Sequence, residues 1–285
     1  MRKIRKALIS VSNKKELGFV LKNLKRYKIE VISSGGTFKE IKRLGYKCLE
    51  LSKYTGFPEI LDGRVKTLHP KIHAGILSKR NNKKHTKELK NNNFSGIDLV
   101  IVNFYPFENV LKKTNDSKKI IENIDIGGPT LVRAAAKNYN DVTVITDVKY
   151  YKNLINELNS NKGFTSIDFR KEMSEIAFTE TAYYDSVISN YFSINSKKIF
   201  KEKKIIYGKL LKELRYGENP HQKAILYSKD NNIGLNQLNG KELSYNNYSD
   251  IFSSLLISKS LPKNVGTVIV KHTNPCGVSV HRDHK

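Results

Sequence analysis

Lys6-Ala7-Leu8-Ile9-Ser10-Val11, followed at once by Ser12-Asn13-Lys14, is the stretch on which the reading of the fold turns. An apolar run of this length, rich in aliphatic residues and closed by small polar ones, predicts a buried strand with a polar turn at its carboxyl end. Immediately after it, Lys14–Tyr27 sets Leu17, Val20, Leu21 and Leu24 on one helical face. Ile29–Ser33 predicts a second strand. Ser34-Gly35-Gly36-Thr37 then reads as a turn leading into a helix through Leu44, and Asp98–Asn103 (DLVIVN) as a third strand. Asp125–Asn138 (DIGGPTLVRAAAKN) predicts a Gly-Gly turn, Pro129 at a helix start and an Ala-rich helix. Val142–Thr146 supplies another strand. Strands alternating with helices in this way predict an α/β fold, a parallel sheet flanked by helices.

Further on, Ser166–Phe192 carries Phe169, Met173, Ile176, Ala177 and Tyr184 near helical spacing. Ser196–Lys204 is lysine-rich and lacks a sustained period, which places a domain boundary there and divides the chain into 1–196 and 197–285. Beyond it the pattern predicts a strand at Ala224–Tyr227, a helix over Ser249–Ser260 and a strand at Val265–Val270.

The 285 residues are 39% hydrophobic and 27% charged, the balance of a folded globular chain, with room for two domains. No apolar run approaches the roughly 20 residues that span a bilayer, and Ala7–Val11 is shorter than the core of a secretory signal. Cys48 and Cys276 stand far apart, outside any metal-ligand spacing or disulfide framework. A cytoplasmic protein is expected. The net charge of +24 raises the question of nucleic acid, but the lysines are spread along the chain in a Lys/Asn/Ile-rich background. Neither nucleic acid nor membrane is the expected partner, and the same charge would steer a small anionic substrate.

Two strand ends carry phosphate-holding chemistry. Ser10, Ser12 and Lys14 offer hydroxyls and a cation, and Ser34, Gly35, Gly36 and Thr37 offer hydroxyls and approachable backbone N–H groups at a helix start. The stretch Asp62–Gly75 then packs Arg64, Lys66, His69, Lys71 and His73 between glycines, and predicts a basic loop for an anionic nucleotide. His69 and His73 have the i,i+4 spacing of metal ligands, but Pro70 interrupts the pair and no third ligand lies nearby, so no metal is expected.

Ser10–Lys14 (SVSNK), Ser33–Thr37 (SSGGT), Gly63–Leu77 (GRVKTLHPKIHAGIL), Asn103–Phe107 (NFYPF) and Asp125–Asn138 occur in the order seen in the family of bifunctional enzymes that formylate aminoimidazole carboxamide ribotide and then cyclise it. From Lys6 to about Phe192 the chain resembles their inosine monophosphate cyclohydrolase domain, whose fold is similar to methylglyoxal synthase. The resemblance implies ring closure of the formylated ribotide without a cofactor. Lys66 and Tyr105 would stand near the carboxamide, Asp125 and Lys137 would relay the proton, and the N–H groups of Ile126 and Gly127 would hold the oxyanion. Ser10, Ser12, Lys14, Ser34, Gly35, Gly36, Thr37, Arg64, Thr67 and Asn103 would bind the nucleotide.

Arg215–Gln222 (RYGENPHQ), Leu238–Asn247 (LNGKELSYNN) and Lys271–Gly277 (KHTNPCG) resemble the opening motifs of the family's transformylase domain, whose fold is similar to cytidine deaminase. That likeness implies 10-formyltetrahydrofolate as co-substrate, His272 as general base, Lys271 as its helper, nucleotide contacts from Arg215, Tyr216 and His221, and a homodimer in the full-length enzyme. It also implies a turn at Pro275-Cys276-Gly277, without zinc because Ser279 stands where a second cysteine would be. Since such a domain continues for several hundred residues, the segment after Ser196 is expected to be a truncated, incomplete α/β piece. Cyclohydrolase activity is expected, with little transformylase activity. The rival readings are a methylglyoxal-synthase-like lyase, which would act on dihydroxyacetone phosphate, and a nucleotide-sensing module, which would bind without turnover.

Overall fold

The computed structural model describes residues 1–194, 196, 201–230, 232–263 and 265–281, and it resolves into two compact units, Met1–Glu202 and Lys203–Lys285. Residues 197–200 of the lysine-rich segment and 282–285 at the chain's end lie outside the described residues.

In the first unit the chain runs β1 (Lys6–Val11), α1 (Leu17–Arg26), β2 (Glu30–Ser33), α2 (Gly35–Arg43), β3 (Leu49–Glu50), α3 (Pro70–Leu77), β4 (Leu99–Asn103), α4 (Gly127–Lys137), β5 (Thr143–Ile145) and α5 (Ile167–Ile194), with further helices between. Its sheet has the order β3-β2-β1-β4-β5, parallel throughout. Leu8 faces Ile32 on one side and Val100 on the other, and Val11 pairs with Asn103. Ala7, Leu8 and Ile9 of β1 and Leu99 to Val102 of β4 are each 1% exposed or less. Helices cover both faces of such a sheet, which is why these strands read as continuous apolar runs. From β1 the chain builds outward to β2 and β3, then crosses to β4 and β5. Strand order therefore reverses between β1 and β4, the place where open α/β sheets leave a crevice at their carboxyl ends.

Helix α4 buries Leu131, Val132, Ala134, Ala135 and Ala136. Its alanines let α5 come close enough for Ser174 Oγ to donate to Ala136 O at 2.8 Å. Asn138, just past the end of α4, donates its amide to Ile76 O (2.7 Å) and Ser78 O (3.1 Å), tying α4 to the end of α3. Arg170 is 2% exposed and serves as a backbone clamp, donating to Thr165 O, Tyr139 O and Asn140 O.

Some local expectations change. The helix expected from Lys14 starts at Leu17, because Glu16 adopts a left-handed conformation (φ 56°). Only the first half of the expected basic loop is a loop. Pro70 occupies the first turn of α3, where its missing N–H costs nothing, and His69 Nδ1 accepts from Lys71 N at 3.1 Å as the cap.

In the second unit Lys209–Glu213 pairs antiparallel with Ile225–Ser228. A helix over Tyr245–Ser260 begins four residues before the expected Ser249, because Ser244 and Asn247 form a capping box. Gly266–Lys271 and Asn274–Val280 make a hairpin whose two turn residues, His272 and Thr273, have φ of 53° and 63°. The turn expected at Pro275-Cys276-Gly277 is therefore corrected. Those residues lie within the second strand, and the chain reverses three residues earlier, where both central residues have the positive φ that a two-residue hairpin requires.

The Asn138 bridge predicts a division within the AAAKN motif. Replacing Asn138 by Ala leaves the carbonyl of Ile76 without its side-chain donor, while Ser78 O keeps Arg80 Nη1 at 2.8 Å, and should lower unfolding free energy by about 1–3 kcal/mol in urea denaturation. Lys137→Met, at an exposed neighbouring position, should stay within about 0.5 kcal/mol of the parent.

Candidate active site

The strand ends at the β1/β4 reversal open into a cavity of about 530 Å³, within the roughly 300–1,000 Å³ range of small-molecule sites. Its floor is set by Asn103 at the end of β4. The Asn103 carboxamide oxygen accepts from Ser12 N (2.8 Å) and Asn13 N (2.8 Å), and its amide donates to Asn13 O (3.2 Å). Ser12 Oγ donates to Phe104 O at 2.6 Å. The turn after β1 is thereby fastened to the turn after β4.

On one side stands the start of α2. The opening N–H groups of a helix have no partner within it, and here they face the cavity at Gly36 and Thr37, with Ser34 capping the helix through its backbone only. The Lys14 ammonium lies 3.8 Å from where a Cβ on Gly36 would be, and the Lys66 ammonium 3.7 Å from the corresponding point on Gly35. Gly35 has φ +52°, a conformation that a side chain would strain. Two cations thus flank the positive end of a helix. Thr37 differs from its expected role, because its buried hydroxyl donates to Val11 O and accepts from Val11 N, both at 3.0 Å. Only its backbone is left for a ligand.

Opposite lies the start of α4. Asp125 Oδ1 accepts from Gly128 N at 2.8 Å, and Asp125 N donates to the Tyr184 hydroxyl at 2.9 Å. A Cβ on Gly128 would stand 2.9 Å from Asp125 Cγ, so the carboxylate reaches this amide only because the residue is glycine. Burial pushes the Asp125 carboxyl above its ordinary value, while the N–H groups of Gly128 and Tyr105 and the Lys66 charge pull it back. The amides of Ile126 and Gly127, ahead of the first helical hydrogen bond of α4, line the same wall. Tyr105 (40% exposed) and Thr67 complete it.

Ser10, Ser12, Lys14, Ser34, Gly36, Thr37, Arg64, Lys66, Thr67, Asn103, Tyr105, Asp125, Ile126 and Gly127 all line this one cavity. Gly35 lines a small pocket beside it, together with Lys66, Phe57 and Glu59. Lys137 does not join them. It closes the eleven-residue α4 whose start forms the cavity wall, which puts it about 15 Å along the axis at 1.5 Å per residue. The expected proton relay through Lys137 thus has no Lys137 contact among the residues that line the cavity. The basic cluster also divides. The Lys71 ammonium lies 4.9 Å over the Tyr54 ring, His69 caps α3, and burial holds the His73 pKa below its ordinary value, leaving Arg64 and Lys66 as the members that line the cavity.

Sequence reasoning missed the carboxylates that answer these cations. Glu122 forms a two-pronged ion pair with Arg64, and Glu59 Oε1 lies 3.7 Å from Lys66 Nζ. Ile121 and Ile124 also line the cavity without belonging to any motif singled out, as does Asp62, which opens the basic stretch without having been given a role. In the second unit, Arg215 stacks over the Tyr216 ring at 4.7 Å and donates to its hydroxyl at 3.0 Å, which lowers the phenol pKa. His221 is exposed, and Lys271 and His272 lie exposed at the hairpin tip.

Residues 16–130 match the MGS-like domain, and residues 135–285 match the AICARFT/IMPCHase bienzyme family. A bifunctional purine biosynthesis protein PurH from Bradyrhizobium diazoefficiens is 44% identical over 288 residues, covering 99% of this chain and 54% of that protein. The PurH of Elusimicrobium minutum is 45% identical over 281 residues, covering 97% and 54%, and that of Persephonella marina is 46% identical over 286 residues, covering 97% and 55%. The chain spans about half the length of the curated relatives it matches. A solved structure titled "Crystal structure of ForH" superposes with a TM-score of 0.59 at 28% identity, covering 66% of this chain and 99% of that one. With one family profile matching more than half of its residues, the chain belongs to the AICARFT/IMPCHase bienzyme family.

Proposed function

We propose that the first unit closes the ring of formylated aminoimidazole carboxamide ribotide to give inosine monophosphate. The carboxamide nitrogen attacks the formyl carbon of the same molecule, a C–N bond forms, and the former formyl oxygen departs as water. Because the reaction is intramolecular, much of the catalysis is selection of the rotamer that brings the two groups together. The α2 amides with Lys14 hold the 5′-phosphate, assisted by Ser10, Ser12, Ser34 and Arg64. Lys66 and Tyr105 orient the carboxamide and help withdraw its proton, the Ile126 and Gly127 amides stabilise the oxyanion, and Asp125 passes a proton to the leaving oxygen. No cofactor enters this scheme. The observation that carries the reading is that Lys66, Tyr105 and Asp125, distant in sequence, line a single cavity beside a helix-start anion cradle. The names of the relatives favour ring closure over a methylglyoxal-synthase-like lyase or a nucleotide-sensing module.

For the second unit we infer a share in formyl transfer from 10-formyltetrahydrofolate to the aminoimidazole ribotide, with Arg215, Tyr216 and His221 on the nucleotide and Lys271 with His272 at the transfer. The resemblance supports a cytoplasmic homodimer for the longer protein.

Incubation with the formylated ribotide, followed by hypoxanthine absorbance, should show turnover. Asp125→Asn should lower kcat by roughly 10²–10⁴-fold while the protein still binds inosine monophosphate. An undiminished rate removes Asp125 from the mechanism. The pH profile carries a sign. The protonated acid is the donor and exists below its pKa, burial raises that pKa, and so the limb on which kcat falls as pH rises should lie above the ordinary Asp value and disappear in Asp125→Asn.

Formyl transfer by this chain should be far slower than ring closure, because Lys271 and His272 stand in water where a general base gains no support from its surroundings. His272→Ala should leave ring closure unchanged. Tetrahydrofolate release measured beside hypoxanthine formation checks both statements.

A further inference from the structure

We propose that Glu122 is a latch on the nucleotide site, a carboxylate that occupies Arg64 until an anionic ligand takes its place. This rests on the reading of the cavity as a nucleotide site. Arg64 is one of three cationic side chains lining the cavity, with Lys14 and Lys66, and its guanidinium is engaged by both oxygens of Glu122. The pair is well exposed, with side-chain exposures of 64% and 57%, so it can exchange partners without breaking into the core.

The element carrying Glu122 suits a latch. It is a six-residue helix, Ser117–Glu122, held by one buried side chain, Ile120, and capped by Asp116, which accepts from Lys118 N and Lys119 N. Glu122 is its last residue, where the negative end of the helix dipole disfavours a carboxylate, so Arg64 is what makes that position favourable. Ile121, 45% exposed, lines the cavity from the same helix. Motion of this helix would stop just beyond it, because Asp125 N is fixed to the Tyr184 hydroxyl at 2.9 Å. The latch can therefore release Arg64 and shift Ile121 while Asp125 stays in place. A phosphate or other anion that takes the Nε/Nη2 edge of Arg64 displaces Glu122, so part of its binding energy goes into opening the latch, which limits the hold on substrate and product alike.

Glu122→Gln removes the competing charge and keeps the shape. Calorimetric titration of the purified chain with inosine 5′-monophosphate and, separately, with inorganic phosphate should show binding about two- to fivefold tighter than the parent, the scale of an exposed ion pair. The gain should shrink at high salt, and Glu122→Asp should fall nearer the parent. Unchanged or weaker binding in Glu122→Gln overturns the latch, the weaker result meaning that Glu122 instead holds Arg64 ready for the ligand. If the parent chain binds neither probe, the nucleotide-site reading fails and the latch with it. If it binds both but the variant shows no gain, the latch alone fails.

Discussion

The pairing of β1 with β4 is the constraint on which the site depends. These two strands are neighbours in the sheet although about ninety residues separate them, and their carboxyl ends bring together turns that would otherwise share nothing. The Val11–Asn103 register places the Asn103 carboxamide where it satisfies the backbone of Ser12 and Asn13. A slip of one residue would turn Asn103 to the other face of the sheet and release both turns. Register in a sheet buried on both faces is strongly specified, because the apolar side chains of both strands must find the core. The precision of the cavity is thus inherited from hydrophobic packing below it.

Much of this was legible in sequence because the signals were strong where the core is deep. Leu8, Ile9, Val100 and Ile101 sit in apolar runs that only a buried strand accommodates, and Leu17, Val20, Leu21 and Leu24 mark the buried face of α1. Legibility fails where local sequence is ambiguous and tertiary context decides. Leu49–Glu50 is a two-residue edge strand, too short to show alternation. In Pro70–Leu77 the proline, lysine and histidine hide the Ile72, Gly75 and Ile76 face that docks on the core. The start of the helix ahead of the second hairpin is hidden in the sequence because Ser244 and Asn247, ordinary polar residues, become a cap only when the backbone turns there.

The candidate site divides along the same line. Motif residues were legible as a set because they share strand ends, which sequence order already implies. What each does was less so. The Thr37 hydroxyl is engaged by Val11, Asn103 serves as a brace for the turn after β1, and Lys137 closes its helix outside the residues that line the cavity. Glu59 and Glu122 carry no motif signal, since nothing in a lone glutamate tells which arginine or lysine the fold will bring to it.

Those carboxylates change how the charge of the protein is understood. The cavity is lined by Lys14, Arg64 and Lys66 and equally by Asp62, Glu122 and Asp125, so its formal charge is near zero in a chain of net charge +24. Attraction of an anion into the site therefore divides into two parts with different ranges. Dispersed surface lysines supply a long-range field that raises the encounter rate and is screened by salt. Inside, the backbone N–H groups at the start of α2 supply fixed dipoles that cannot be neutralised by a neighbouring side chain. A site that relied on excess lysines alone would hold any anion. One that balances its cations with displaceable carboxylates discriminates by geometry, because only a ligand that reaches the amide cradle while also taking over Arg64 recovers the cost of separating existing ion pairs.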